Sequence, residues 1–277
     1  MKVLCFPADD LGCGSYRISW PAQYLRHLGH DVELALVGRR GRFQLRTNSA
    51  GEITDVGMPE DVDVVVFQRI SRAIHADALL RLRERGIAVV HDMDDDLSRI
   101  HGKSFAFSNY QDPANHSWKH CETASRNATL VTVSTPALLD VYGFDHGHVI
   151  DNYVPSAFLE YERADSDIMG WGGSTRSHPN DLPVVGRAVR KLQEEGYWFR
   201  VIGPEGEVGR LLHLRREPPY TGSIPQIDWA WRLSALGVGI APLADTLFNS
   251  AKSRLKVAEM SSVGVPWVAS PTPEYKR

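Results

Sequence analysis

The chain has 277 residues, room for two domains that each bury a core of their own. Hydrophobic residues make up 43% and charged residues 23%, the balance of a globular protein, and no apolar run is long enough to span a bilayer. The net charge of −3 lies in the first 150 residues and the remainder is neutral, so neither half is a basic nucleic-acid module.

Cys5, Cys13 and Cys121 are odd in number and lack metal-ligand spacing. The apolar start, Met1–Phe6, is too short for a signal peptide and runs straight into Asp9 and Asp10. A reduced, cytoplasmic setting is expected, with the acceptor triplets at Asn115 and Asn127 read as chance matches.

Strand-like and helix-like runs alternate throughout, which predicts parallel sheets with crossover helices. Lys2–Pro7 reads as a buried strand, Tyr16–Leu28 as a helix stopped by Gly29, and Asp31–Val37 as the next strand. A hairpin over Phe43–Thr47 and Glu52–Val56 follows an Arg- and Gly-rich stretch. Asp63–Gln68 is a strand, Ala76–Arg85 a helix closed by Gly86, and Ile87–Val90 a strand. Asp112–Ala128 reads as a helix and Leu130–Ser134 as a strand; Thr135 and Pro136 open a short helix before a last strand at His148–Asp151.

Residues 152–166 lack a period and mark the junction, giving domains 1–155 and 156–277. The pattern then restarts. Ile168–Trp171 is a strand, Pro183–Glu195 a helix ended by Gly196, and Tyr197–Ile202 a strand. Gly206–Arg216 and Ile227–Leu236 read as helices and Val238–Pro242 as a strand; a helix at Ala251–Val263 and a strand at Pro266–Ser270 end the chain.

Four segments carry candidate chemistry. Gly12 and Gly14, with Tyr16 and Arg17 just beyond, lie between the first strand and helix, where glycines let backbone N–H groups approach an anion. With Glu33 they make half of a dinucleotide fingerprint whose third glycine is missing; a plain tight turn is the alternative. The run His91-Asp92-Met93-Asp94-Asp95-Asp96 follows a strand and is expected to face a cleft. Its acids can bind a divalent metal, act as base, accept bonds from sugar hydroxyls, or simply form a solvated helix-capping loop. Gly173, Ser174 and Arg176 form the matching loop of the second domain, suited to a diphosphate because a guanidinium grips two phosphate oxygens at once. His178, before Pro179, reads equally well as a loop residue.

The fourth segment spans Asp245–Glu259. Lys252, Lys256 and Glu259 share one helix face, and Lys252 and Ser253 fall in the first turn, where unsatisfied N–H groups favour an anion. Glu259 can accept ribose hydroxyls; an ordinary surface Lys256–Glu259 pair is the alternative.

That segment, Phe248-Asn249-x-x-Lys252-Ser253-x-x-Lys256-x-x-Glu259 followed by Gly264-Val265-Pro266-x-Val268-Ala269-Ser270, resembles the donor site of retaining GT-B glycosyltransferases. Cys13–Arg17 with Trp20-Pro21-Ala22, Asp94–Asp96, Val131–Thr135 and Gly170–Ser174 also match. The combination is similar to a subgroup of bacteriophage and cell-envelope sugar transferases.

The resemblance implies two Rossmann-like domains with the sugar nucleotide, a UDP- or GDP-sugar, in the cleft between them and mainly on the second. Lys252 and Ser253 would hold the diphosphate and Glu259 the ribose, with Gly12, Gly14, Gly173, Ser174, Arg176, Asn249 and Lys256 completing the donor site. Tyr16, Arg17, His91, Asp94, Asp95 and Asp96 would face the acceptor, and Asp94, Asp95 and Lys252 are the candidate catalytic residues. No metal or other cofactor is expected, because cations and helix termini neutralise the diphosphate.

Two departures stand out: Ala251 occupies the place of an acid that grips sugar hydroxyls in many members, and the second domain is expected to be shortened, since members usually continue through further helices. The acceptor is left open among a modified DNA base, a virion protein and a glycan. Arg39, Arg40, Arg42 and Arg46 can meet an anionic acceptor such as DNA or form a solvated loop. The rival readings are a dinucleotide oxidoreductase, a metal-dependent transferase centred on the acidic run, and a non-catalytic nucleotide-sugar-binding module.

Overall fold

The computed structural model describes residues 1–35, 43–114 and 116–277. Arg39, Arg40, Arg42 and Asn115 therefore lie outside the described residues. The chain divides into two compact units, Met1–Ser98 with Ser108–Asn152, and Arg99–Phe107 with Tyr153–Arg277.

In the first unit β1 (Lys2–Phe6) and β2 (Asp31–Leu34) precede an antiparallel hairpin of β3 (Gln44–Thr47) and β4 (Ile53–Gly57). Then come β5 (Val64–Gln68), β6 (Ala88–Met93), β7 (Leu130–Val133) and β8 (Gly147–Val149). Six of these strands form one parallel sheet in the order β2-β1-β5-β6-β7-β8. Their apolar runs follow from burial on both faces: Leu4, Val65, Val89 and Val131 are fully inaccessible. Helices Trp20–His27, Ala73–Glu84, Ser117–Asn127 and Pro136–Tyr142 make the crossovers. Gly29 (φ 87°) and Gly86 (φ 81°) end the first two, taking the left-handed conformation a side chain would strain. Thr135 caps the last, its hydroxyl accepting from Leu138 N–H at 3.3 Å.

In the second unit β9 (Ile168–Gly172), β10 (Trp198–Ile202), β11 (Val238–Ala241) and β12 (Trp267–Ala269) form a parallel sheet ordered β10-β9-β11-β12. Its core packs Trp171, Leu182, Phe199, Val201 and Leu212. The α/β class with parallel sheets expected from the alternating pattern is what the chain adopts.

Both sheets grow outward from their first strand in two directions. The strand order reverses between β1 and β5 in one and between β9 and β11 in the other. Crevices beyond the carboxyl ends of such strand pairs are where ligands bind in open α/β sheets. They draw attention to the loops after Phe6 and Gln68, and to those after Gly172 and Ala241.

Several expected elements shift. β6 runs through Met93 rather than stopping at Val90, because His91, Asp92 and Met93 continue the ladder onto Val131, Thr132 and Val133. The helix expected at Pro183–Glu195 is broken by Gly186 (φ 60°) into a 3₁₀ turn, Leu182–Val185, and a helix, Ala188–Glu194. The helix expected at Gly206–Arg216 contracts to Val208–Leu211, where Gly209 N–H turns to the Glu217 carboxylate. The one expected at Ala251–Val263 begins only at Leu255, preceded by a single turn, Leu247–Ser250, that Thr246 caps. Among the described residues no helix is long and apolar enough to cross a membrane.

Candidate functional site

In the second unit the loop after β9 and the helix Leu255–Ser262 meet. Lys256 Nζ donates to the Gly172 carbonyl and lies 5.6 Å from the Trp171 ring centroid. Gly173 (φ 154°) leaves room for that ammonium: a Cβ there would sit 3.1 Å from Lys256 Nζ and 2.8 Å from the Trp171 ring. Burial lowers the Lys256 pKa, Glu259 and Asp181 oppose the shift, and neighbouring Lys252 adds to it. Glu259, on the same helix, is buried.

Lys252 and Ser253 fall in the connector before this helix rather than in its first turn. The Lys252 ammonium stands 4.5 Å from the Phe248 ring centroid, a cation–π contact. Ser174 closes the loop after β9: its carbonyl accepts from Ser177 and His178 N–H and its hydroxyl from Arg176 N–H. The exposed Arg176 guanidinium lies 5.5 Å from the Phe105 ring.

Asn249, expected to touch the donor, turns inward instead. It is 5% exposed, and its amide donates to Asp181 Oδ1 at 2.7 Å and to the Ala244 carbonyl at 3.0 Å. Asp181 Oδ1 also accepts from Ala244 N–H at 2.9 Å, and its Oδ2 meets His178 Nδ1 at 2.7 Å. Burial would raise the Asp181 pKa, but the bonds from His178, Ala244 and Asn249 outweigh it and hold the group below its ordinary value. A cavity of about 70 Å³ opens beside this cluster, lined among others by Arg99, His101, Ser104, His178 and Asn249. The sequence left His178 open between site and loop residue and did not single out Asp181; the i, i+3 spacing of an imidazole and a carboxylate in a post-strand loop was the available signal.

The first unit's edge is built differently. Asp9 Oδ1 accepts from Leu11 N–H at 3.1 Å and Gly14 N–H at 2.9 Å. A Cβ on Gly14 would lie 1.9 Å from the Asp9 carbonyl oxygen, so this glycine serves the close approach of the chain to itself. The Gly12–Gly14 turn thus already bonds a carboxylate with the Gly14 N–H that a phosphate would need.

Arg17, on the π-helical turn Ser15–Ser19, is 9% exposed and forks onto Asp92, Nε to Oδ2 at 3.1 Å and Nη2 to Oδ1 at 2.5 Å. It also donates to the Ile150 carbonyl and Asn152, while Thr132 Oγ1 donates to Asp92 at 2.6 Å. Burial acts to lower the Arg17 pKa, and the Asp92 carboxylate more than offsets it. Tyr16 is buried, edge-on to Trp20 with ring centroids 4.6 Å apart.

The acidic run separates into different roles. His91 is fully buried, Nε2 accepting from Ile70 N–H at 3.0 Å and Nδ1 meeting Ser125 Oγ at 2.9 Å. Burial lowers its pKa to about 3, so it stays neutral and is closed to an acceptor, contrary to expectation. Asp94 pairs with Arg69 Nε at 3.2 Å, and Arg69, itself left-handed at φ 52°, also grips Asp9. Asp96 is 1% exposed and caps the turn Leu97–Arg99, accepting from Ser98 N–H at 3.2 Å and Ser98 Oγ at 2.6 Å. Asp95 is only partly buried. Among the described residues no three His, Cys, Asp or Glu side chains are grouped to hold a metal ion. Arg46 is exposed and pairs across the β3–β4 hairpin with Asp55 at 3.8 Å.

The fold is similar to that of an alpha-glucosyltransferase in complex with UDP: TM-score 0.60 at 12% identity, covering 97% of this chain and 80% of that one. The Anabaena protein HepE in complex with UDP gives 0.55 at 14% identity, covering 100% and 82%. An alpha-glucosyltransferase with UDP-glucose and DNA containing an abasic site gives 0.58 at 11% identity, covering 96% and 78%. The likeness is one of fold. No protein-family model matches the sequence, and comparison with curated proteins gives no match.

Proposed function

We propose that this chain is a GT-B glycosyltransferase that moves a sugar from a nucleotide-sugar donor, a UDP-sugar in the first instance, to an acceptor hydroxyl with retention of configuration. The observation that carries it is the meeting of Lys256 with the Gly172–Gly173 turn beyond the β9 end of the second sheet, where the strand order reverses, with Glu259 acting on that lysine from the same helix. The near-complete coverage of the chain by folds holding UDP supports the same ligand class.

In this reading Lys252, Lys256, Ser253 and Arg176 receive the diphosphate and Glu259 the ribose. Burial and, to a smaller extent, Lys252 disfavour the Lys256 ammonium, and a diphosphate adds to the opposing pull of Glu259 and Asp181. In transfer, the same cations stabilise charge developing on the leaving diphosphate, which is the chief source of rate acceleration in such a site. Metal is not required for that role. The second unit is the donor side and the first the acceptor side, with Asp95 the acid of its run placed to meet a hydroxyl. A cytoplasmic setting fits the three free cysteines.

Calorimetry of UDP and UDP-glucose binding tests the assignment. Lys252→Ala removes a charge-assisted contact of about 1.5–3 kcal/mol, so affinity falls roughly ten- to a hundred-fold. Parent-like affinity in the variant would remove Lys252 from the site.

A further inference from the structure

We propose that His178, its ring fixed by Asp181, donates a hydrogen bond to the donor diphosphate and gains a proton from solvent as that anion arrives. This rests on the nucleotide-sugar reading of the second unit and adds to it a residue which that reading does not use.

The geometry has three parts. First, the imidazole is oriented. Asp181 is an ionised acceptor held by Ala244 N–H and the Asn249 amide, so His178 Nδ1 carries the proton between them. Secondly, Nε2, on the opposite edge of the ring, has no hydrogen-bond partner among the described residues, and His178 lines the cavity beside Asn249. Thirdly, the charges around the ring suit an anion. Lys252 and Lys256 both act on His178 from the connector and helix that follow β11, and both disfavour its protonation, as does burial. Arg99 and His101 line the same cavity from the stretch Arg99–Phe107, and Tyr275 lies within the field of Asp181. On the ring's own loop, Asp181 is the one group that favours the imidazolium.

Burial and the two lysines disfavour protonation of the ring, against the pull of Asp181. A diphosphate shifts that balance: it offsets the charge of Lys252 and Lys256 and adds negative charge beside Nε2. The balanced step is a proton from the buffer acid to Nε2, leaving the conjugate base in solution and an imidazolium bonded to a phosphate oxygen at one edge and to Asp181 at the other. Asp181 acts here as a positioning residue, as an orienting carboxylate does for a general acid. An imidazole serving only the loop's packing would titrate independently of ligand.

Calorimetry of UDP-glucose binding to the full chain, repeated in buffers of different ionisation heat, reads the proton count. Its diphosphate is esterified at both ends, so it lacks the phosphate proton of pKa about 6 that would confuse the count. Near pH 7 we expect uptake of about one proton per molecule bound, declining as pH rises, since the bound complex then holds a proton that the free protein lacks. His178→Gln should abolish the uptake and weaken binding; Asp181→Asn should reduce it. In the wild-type chain, the His178 imidazole resonances should move to their protonated positions on adding UDP-glucose, which keeps the test independent of variant folding. Binding without uptake, or equal uptake in His178→Gln, overturns the role of His178 and leaves the nucleotide reading standing. No binding of UDP-glucose or GDP-glucose by the wild-type chain overturns both.

Discussion

At the carboxyl end of the first sheet Arg17 and Arg69 each meet a carboxylate, whereas at the same end of the second sheet two lysines stand within each other's field. Arg17 forks onto Asp92, and Arg69 bridges Asp9 and Asp94. Burial holds the Lys256 pKa below its ordinary value, Glu259 and Asp181 oppose that shift, and Lys252 adds to it. In the first arrangement the counter-charges are carboxylates of the chain itself; in the second, on the proposed reading, a diphosphate supplies a further one. A run of charged residues at a strand end therefore has two meanings, and the partner across the sheet decides between them. In the first unit those partners come from other loops: Asp92 is 75 residues from Arg17, and Asp9 is 60 from Arg69.

The sharpest way to test this contrast is to break the Arg17–Asp92 pair. Removing one partner of a buried, bidentate pair leaves an uncompensated charge and costs roughly 3–5 kcal/mol. Arg17→Met or Asp92→Asn should lower the urea midpoint accordingly, while UDP affinity at the second unit stays at the parent level. An apolar double replacement should recover much of the loss, because no buried charge remains. A single-variant loss below about 1 kcal/mol would mean that the pair is hydrated, as surface pairs are.

The parallel strands and their glycine stops were legible because period and punctuation are local properties. Gly29 and Gly86 end their helices as expected, and Thr135 and Pro136 open theirs. Site chemistry was harder to read. Asp92 sits in the same acidic run as Asp94, and nothing in its neighbours says that a guanidinium from the first crossover will claim it. Gly14 carries the signature of an anion-binding turn, yet the anion it binds is Asp9 of its own chain. Asn249 belongs to the motif that suggested the donor site, but its amide supports Asp181. Lys256 and Glu259 were legible together because helical spacing sets them on one face.

A second effect, spread over several pH units, concerns His91. Its folded pKa of about 3 lies below the ordinary 6.5, so the unfolded chain takes up a proton that the folded chain refuses. The stability this group contributes is complete above pH about 6.5 and is lost as pH falls towards 3, at up to about 1.4 kcal/mol per pH unit. Urea midpoints measured across that window should decline, and His91→Gln should decline less steeply. Equal slopes would mean that the ring has access to water or to a carboxylate in the folded protein.

The finest test lies inside the acidic run, where adjacent carboxylates should answer differently to the same change. Asp96 is buried and accepts two bonds from Ser98, closing the turn Leu97–Arg99, so its charge serves unsatisfied donors. Asp96→Asn keeps the shape but exchanges an ionised acceptor for a weaker one and places an NH₂ in a buried position. A loss of about 1–2 kcal/mol is expected, in the range of a capping residue. Asp95 keeps part of its surface in water, where hydration replaces most of what a carboxylate loses, and Asp95→Asn should stay within about 0.5 kcal/mol of the parent. Paired denaturation curves of the two variants read the difference directly. If both lose the same amount, the run acts as one cooperative cluster and Asp95 is structural. If only Asp96→Asn is destabilised, Asp95 is held in place by a fold that does not need its charge, and a bound acceptor hydroxyl becomes the use for it.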